Sequence, residues 1–256
     1  MSKTSRKRFL RRFITISVLA ILVFVGYLGY LWWESRQLRY LKYPEFGIEI
    51  PYGYEIHGID VSKYQHQISW EAVKEMKVHH IKLGFAFIKA TEGNDNVDPF
   101  FKRNWRRSKN AGITRGAYHF FIATKDGKMQ AKNFIKRVDL ESGDLPPVLD
   151  VEQRYGASPG QLRKEVKAWL ETVENHYGVR PIIYTNVDFY ENYLKGFFDD
   201  YPLWVAHYLQ PTKPRISRNW SFWQHSEEGR VNGILSKVDF NVFNGDSLEF
   251  KKLLVP

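Results

Sequence analysis

The longest unbroken apolar stretch lies near the start of the chain. Residues 13–33, FITISVLAILVFVGYLGYLWW, hold no charged side chain in 21 positions. About 20 apolar residues are what a helix needs to cross the hydrocarbon core of a bilayer. Lys3, Arg6, Lys7, Arg8, Arg11 and Arg12 precede the stretch, and Tyr27, Tyr30, Trp32 and Trp33 fall at its far end. Basic residues hold an N-terminal arm (residues 1–12) in the cytoplasm, and aromatic residues suit the opposite interface. The pattern therefore predicts a single-pass anchor at 13–33, with the rest of the chain extracytoplasmic, in a periplasm or at the cell exterior. A cleaved signal peptide would carry a shorter apolar core ending in a small-x-small site, which Tyr30-Leu-Trp-Trp33 does not provide. Residues 34–54 are polar, dotted with aromatics and punctuated by Pro44, Gly47, Pro51 and Gly53. They are expected to form a linker without regular structure.

From residue 55 to 256 the pattern changes to short apolar runs alternating with 3.6-period segments. Strands are expected at 56–61, 84–90, 114–122, 145–152 and 180–185. A helix is expected after each: from Ser69, from Asp98-Pro99 to Gly112, near 125–140, from Ser158-Pro159 to Gly178, and a short one as far as Lys195. Ala131, Phe134, Ile135 and Val138 mark the third helix; Leu162, Val166, Trp169 and Val173 mark the fourth. Strands at 203–207, 221–225 and 238–243 then follow with only loops between them, and a helix at 247–254 closes the chain. Alternation of this kind implies parallel pairing through right-handed crossovers. The α/β pattern fits a modified TIM-like barrel of five β/α units plus three further strands, preceded by one transmembrane helix. An open doubly wound sheet is the other arrangement it admits.

Composition narrows the chemistry. There is no cysteine, so thiolate sites and disulfides are excluded. The eight histidines show none of the spacings of a zinc site, and no Gly-rich phosphate loop is present. No metal or cofactor is expected. Six of the ten net positive charges lie in the first twelve residues. The remainder is too small to argue for nucleic acid, and suits a substrate that carries carboxylates.

Candidate chemistry centres on Leu145-Pro-Pro-Val-Leu-Asp-Val-Glu152. On a strand, Asp150 and Glu152 point the same way. Burial and mutual repulsion raise at least one of their pKa values, which keeps a carboxylic acid protonated near neutrality and able to protonate a leaving oxygen. An isolated pair of this kind also serves as a loop cap or an ion-pair partner. The other strand tips carry Asp60, Glu92 just beyond Lys89, Tyr118, Tyr184, Trp204, Gln224 and Asp239. In a barrel of this class those tips share one face. Asp60, Asp150, Glu152 and Asp239 would then converge on one bowl, and buried unpaired carboxylates are too costly to collect without a use. Tyr118 reads equally as core, Trp204 reads more readily as packing than as site, and Lys89 and Glu92 read also as a simple ion pair.

Six blocks stand in order along the chain: Ile59-Asp-Val-Ser-Lys-Tyr-Gln65, Phe87-Ile-Lys-Ala-Thr-Glu-Gly93, Gly116-Ala-Tyr-His-Phe120, Asp150-Val-Glu152, Ile183-Tyr-Thr185 and Val238-Asp-Phe-Asn241. Together they resemble glycoside hydrolase family 25, the lysozymes that act as N-acetylmuramidases. The resemblance spans residues 55 to about 250. It implies hydrolysis of the β-1,4 bond between N-acetylmuramic acid and N-acetylglucosamine, with the peptidoglycan glycan strand as partner and no cofactor. By position it makes Glu152 the general acid/base, Asp150 its partner, and Asp60 and Asp239 further catalytic carboxylates. Tyr118, Tyr184, Trp204, Gln224, Lys89 and Glu92 are expected to line the substrate site.

Neighbours i and i+2 on a strand lie about 6–7 Å apart, too close to flank opposite faces of a sugar. A substrate-assisted route is therefore expected, with Asp150 stabilising the sugar's own acetamido group. Direct inversion with Asp60 or Asp239 as base is the competing scheme. A chitin-type hydrolase and a non-catalytic, membrane-tethered wall-binding module are the alternative functions that the residues leave open.

Overall fold

The computed structural model describes residues 3–37 and 40–256, with side chains over 12–33 and 42–256. They fall into two compact units, Met1–Leu41 and Lys42–Pro256. The first is built on α1 (Lys3–Gln37). Its segment Arg12–Trp33 has a mean hydropathy of 2.3 and buries none of its length, and it is long and apolar enough to cross a membrane.

Next come β1 (Tyr40–Tyr43) and β2 (Ile48–Pro51), which pair as a hairpin. This corrects the expectation of an unstructured linker over 34–54. Pro44 and Gly47 lie in the turn, with Gly47 at φ +69, while Pro51 ends β2 and Gly53 follows it. Tyr43, Phe46, Ile48 and Ile50 are buried, and Phe46 meets the Phe240 ring edge-on at 5.2 Å. Tertiary burial holds in place a hairpin that would be marginal alone.

The remaining elements follow in order: β3 (His57–Val61), α2 (Trp70–Glu75), β4 (Lys77–Val78), β5 (Ile81–Glu92), β6 (Asn96–Val97), α3 (Phe101–Asn110), β7 (Thr114–Phe120), α4 (Gly127–Ile135) and β8 (Val148–Asp150). Then come α5 (Pro159–Tyr177), β9 (Ile182–Asn186), α6 (Val187–Phe189, continued by a π-helical turn to Leu194), β10 (Leu203–Ala206), β11 (Phe222–Gly229), β12 (Val238–Phe243) and α7 (Ser247–Leu253). The main sheet runs β3-β12-β11-β10-β9-β8-β7-β5, and β5 pairs back onto β3. That last pairing closes a barrel of eight strands and excludes the open sheet. All neighbours are parallel except β12, which is antiparallel to both β11 and β3. An antiparallel neighbour needs no helical crossover, so the helix rhythm can stop before β12. Helix signals worked locally: on α5, Ser158 caps Gln161 N–H, Pro159 opens the first turn and Gly178 closes it in the left-handed region.

Alternation along the strands separates two cores. Outward residues such as Ile59 and Val61 pack with Trp70, Phe134, Val166 and Trp169 beneath the helices. Inward residues Phe85, Phe87, Val148, Ile182, Trp204, Phe222 and Phe243 fill the barrel. Phe85 and Phe87 take so much of that space that their neighbouring strands carry glycine. A Cβ on Gly58 would lie 2.5 Å from the Phe85 ring, and one on Gly116 would lie 2.6 Å from the Phe87 ring. Gly→Ala at a compatible backbone ordinarily stabilises by about 0.4–1 kcal/mol through the unfolded chain. Gly116→Ala is expected to do the reverse and cost roughly 1–3 kcal/mol by overpacking. The denaturant midpoint reads this directly, and an unchanged or higher midpoint would show that the rings yield.

Candidate active site

The same alternation carries each inward row from an apolar base to a polar tip. Beyond Phe85 and Phe87 on β5 stands Lys89; beyond Gly116 on β7, Tyr118; beyond Val148 on β8, Asp150; beyond Ile182 on β9, Tyr184; beyond Phe222 on β11, Gln224; and beyond Gly58 on β3, Asp60. Because β12 runs the other way, its first residues reach that end. Asp239 is the register partner of Asp60, and Asn241 that of Gln224. A polar layer therefore lies over an aromatic plug at the C-terminal ends of the parallel strands.

Asp60 sits at the centre of a hydrogen-bond network. Its Oδ2 accepts from Gln224 Nε2 at 2.8 Å and from Asn241 Nδ2 at 2.7 Å. Gln224 Oε1 accepts from Tyr184 OH at 2.8 Å and Tyr208 OH at 2.7 Å. Asn241 Oδ1 accepts from Trp204 Nε1 at 2.7 Å. Each amide has its oxygen on a donor and its NH2 on the carboxylate, which fixes its orientation. Asp60 and Asp239 also share a hydrogen bond. Burial raises Asp60 to about 6, held there by the Asn241 and Gln224 donors. Burial and then the Asp60 charge push Asp239 up to about 9. At neutrality the shared proton sits on Asp239, which donates it to the Asp60 anion.

That arrangement predicts an asymmetry. Asn at position 239 reproduces the donor, so Asp239→Asn should keep activity within about tenfold, whereas Asp60→Asn removes the central acceptor and leaves two amides facing an amide. The pH dependence has a definite sign. Between its unfolded value near 4 and about 9, Asp239 is ionised in the unfolded chain and protonated in the folded one. Its contribution to stability therefore falls as pH rises across that window. Thermal unfolding of Asp239→Asn should gain on the wild type from pH 5 to pH 9, and a constant difference would place the proton elsewhere.

The second acid pair lies on β8 and the loop after it. The regular strand is Val148–Asp150, shorter than the expected 145–152. Pro146 and Pro147 have no N–H for the ladder, and Glu152 already belongs to the loop. Val151 N–H still donates to Tyr184 O at 2.9 Å, one residue past the strand. Asp150 is buried and Glu152 half-buried. Asp150 lies well above the usual carboxylate range, through burial and then the Glu152 charge. Glu152 is raised chiefly by burial, with the Asp60 charge adding. The two carboxyls share a hydrogen bond and hold one proton between them. Asp150 Oδ1 is buried and has no hydrogen-bond partner among the described residues.

Tyr118 lies within the fields of Asp60, Asp150 and Asp239 together, which, after burial, raise its hydroxyl further. The two acid pairs thus form one electrostatic cluster. Lys89 Nζ meets Glu92 Oε2 at 2.7 Å, lies 4.5 Å over the Phe120 ring, and draws down the pKa of both Asp150 and Glu152. Trp204 is 1% exposed, stacked on Phe87 at 4.3 Å and tilted against Tyr184 at 4.4 Å, so its ring packs in the plug. Gln224, also buried, spends both ends of its amide on Asp60 and the tyrosines.

Asn241 and Tyr208 were not singled out from the sequence. Asn241 stands two residues after Asp239, so strand alternation alone could have found it. Tyr208 lies past the end of β10, where no periodicity applies. Beside Glu152 opens a cavity of about 310 Å³ lined by Asn186, Asp188, His207 and Tyr208 among others. Among the described residues, no group of His, Asp and Glu is arranged to hold a metal ion.

The family model described as Glycosyl hydrolases family 25 matches residues 59–234. A protein of Escherichia coli O6:H1 named Uncharacterized protein YegX is 44% identical over 251 residues, which is 94% of this chain and 92% of that one. Lysozyme M1 of Streptomyces globisporus is 37% identical over 211 residues, 75% of this chain and 69% of its own. Among solved structures, a family 25 glycosyl hydrolase from Bacillus anthracis superposes with a TM-score of 0.71 at 34% identity, covering 78% of this chain and 93% of that one.

Proposed function

The chain belongs to glycosyl hydrolase family 25, and on that premise we propose that it is a membrane-anchored muramidase. It cleaves the β-1,4 bond between N-acetylmuramic acid and N-acetylglucosamine in peptidoglycan. The observation that carries this reading is the Asp150/Glu152 pair: two adjacent carboxyls on one side of the bowl, one shared proton, and a buried Asp150 oxygen without a partner. A pair so placed does not flank the anomeric carbon, as direct inversion or a carboxylate nucleophile would require. It suits a nucleophile supplied by the substrate.

In the proposed mechanism the proton shared with Asp150 passes to Glu152, which gives it to the glycosidic oxygen while the C1–O bond breaks. The carbonyl oxygen of the muramic 2-acetamido group bonds to C1, and positive charge spreads onto its nitrogen. Asp150, now the anion, accepts from that N–H through the unpartnered Oδ1. An acceptor already aimed at the developing charge acts without reorganisation. Glu152 then takes a proton from water as the water oxygen bonds to C1 and the acetamide re-forms. Asp60 is saturated by Gln224, Asn241 and Asp239, so it acts as a fixed negative charge that adds to the raised pKa of Glu152 and not as a base. Tyr118 and Tyr184 shape the bowl, and Lys89 with Glu92 borders it. Residues 13–33 serve as the anchor, with the basic arm (1–12) cytoplasmic and the barrel (55–256) beyond the membrane.

The test is mass spectrometry of products from purified sacculi, in parallel with chitin, and proton NMR of the first-formed anomer. Muramic acid at the new reducing ends, with retained β configuration, is the expected result. Release from chitin alone would make the enzyme a chitin-type hydrolase, an inverted anomer would remove the acetamido-assisted route, and binding without cleavage would make the chain a wall-binding module.

A further inference from the structure

The charge of the barrel unit is unevenly distributed. Residues 98–141 carry eleven Lys and Arg against four Asp and Glu, while the rest of Lys42–Pro256 carries 19 against 23. On α3, Lys102, Arg106 and Lys109 recur at i, i+4 and i+7, exposed along one stripe. With Lys136 and Arg137, just past α4, they line a cavity of about 860 Å³. The floor includes Trp105, whose ring carries the Arg115 guanidinium at 3.9 Å.

Most acids in this region are already engaged. Asp144 and Glu141 bind Arg115 at 2.8 and 2.9 Å, and Glu141 also pairs with Lys109. Asp98 accepts from Lys63 N–H and Phe100 N–H at 2.7 and 2.9 Å. By contrast Lys102, Arg106, Lys136 and Arg137 have no ion pair among the described residues. Asp139 also lines the cavity and has no ion pair among the described residues, so four unpaired cations face one free carboxylate. The excess of cations is self-repelling, and a further anion lying among them relieves that repulsion.

We infer that this groove takes the carboxylate-bearing peptide branches of the wall polymer. The inference rests on the peptidoglycan reading and deepens it. Continuity supports it: Val97–Pro99 form one end of the groove, and Asp98 there binds the loop that follows Asp60 on β3, at the mouth of the bowl. From there α3 runs about 15 Å down the barrel flank, and a four-residue peptide fully extended spans about 13 Å. A glycan in the bowl would present its acidic branches over the rim and into the groove.

The test uses the full chain in detergent with two substrates, intact sacculi and glycan strands stripped of peptide by an amidase. Lys102→Glu/Arg106→Glu and Lys136→Glu/Arg137→Glu are expected to raise half-saturation on intact sacculi about tenfold with kcat unchanged. Cleavage of stripped strands should stay as in the wild type, Lys102→Arg/Arg106→Lys should retain the binding, and raised salt should erase the difference. An equal loss on both substrates, or no loss on sacculi, overturns the inference. Unchanged sacculus binding with lost binding to phosphatidylglycerol vesicles would assign the groove to the bilayer instead. If the wild type cleaves neither substrate, the hydrolase reading fails, and co-sedimentation of the same variants with intact and stripped polymer still decides the groove.

Discussion

Replacing Glu152 by Gln is expected to lower kcat/KM on peptidoglycan about 10³-fold or more, with thermal unfolding at pH 7 no lower than in the wild type. A positioned general acid is worth roughly 10²–10⁴ in rate, and 10³ corresponds to about 4 kcal/mol of barrel-bound transition-state stabilisation. Gln fills the same volume and accepts the same hydrogen bonds, but it has no proton to give the leaving oxygen and cannot later take one from water. Stability should not suffer, for a reason of sign. Glu152 is raised by burial, so its ionised form costs the folded state above the unfolded pKa, and a neutral amide removes that cost. Turbidity loss of sacculi with matched melting curves checks both halves. If the variant keeps more than a tenth of wild-type activity, the proton donor is another group.

Asp150→Asn should also be severe, with about a 10²–10³-fold loss in kcat, and with a signature that Glu152→Gln lacks. Asparagine turns an acceptor into a donor where the acetamido N–H must be received, so the developing charge meets the wrong end of a dipole. Asp150 is held well above the ordinary carboxylate range by burial and then the Glu152 charge, and its hydrogen bond draws Glu152 down. Asparagine removes that titrating partner, so the residual activity should follow a single carboxyl where the wild type follows a coupled pair. A pH profile of unchanged shape would mean that the pair does not titrate as a unit. The contrast with the mild effect expected for Asp239→Asn is informative, because both positions carry a raised carboxyl in the same bowl. At 239 the protonated form serves the site, whereas at 150 the ionised form must be reached during turnover.

Much of this was legible along the chain. The 21-residue apolar run, the change from 3.6-period to strand-like patterning, and the caps Ser158 and Gly178 located elements to within a few residues. Proximity in the chain placed Asp150 near Glu152, and alternation put an acid or amide at strand tip after strand tip. These are local signals, because a residue's periodicity reports which face of its own element is buried.

What the local pattern does not carry is which distant face an element meets. The hairpin over 40–51 looked like a linker because Pro and Gly punctuate it, and its order comes with the burial of Tyr43, Phe46, Ile48 and Ile50, Phe46 against Phe240. Trp204 read from the sequence as packing or as substrate lining, and only closure of the barrel stacks it on Phe87 and tilts it against Tyr184. The choice of Asp239 as proton carrier arises from the antiparallel turn of β12, which brings it opposite Asp60 and brings Asn241 to the same oxygen from 181 positions away. The sequence by itself determined the anchor-like helix, the strand-helix order and the neighbouring acids Asp150 and Glu152. The tertiary structure decided barrel closure, the protonation order of the aspartates and the gathering of cations on one flank. Each of those depends on contacts between residues far apart in the chain, where burial and charge act through space.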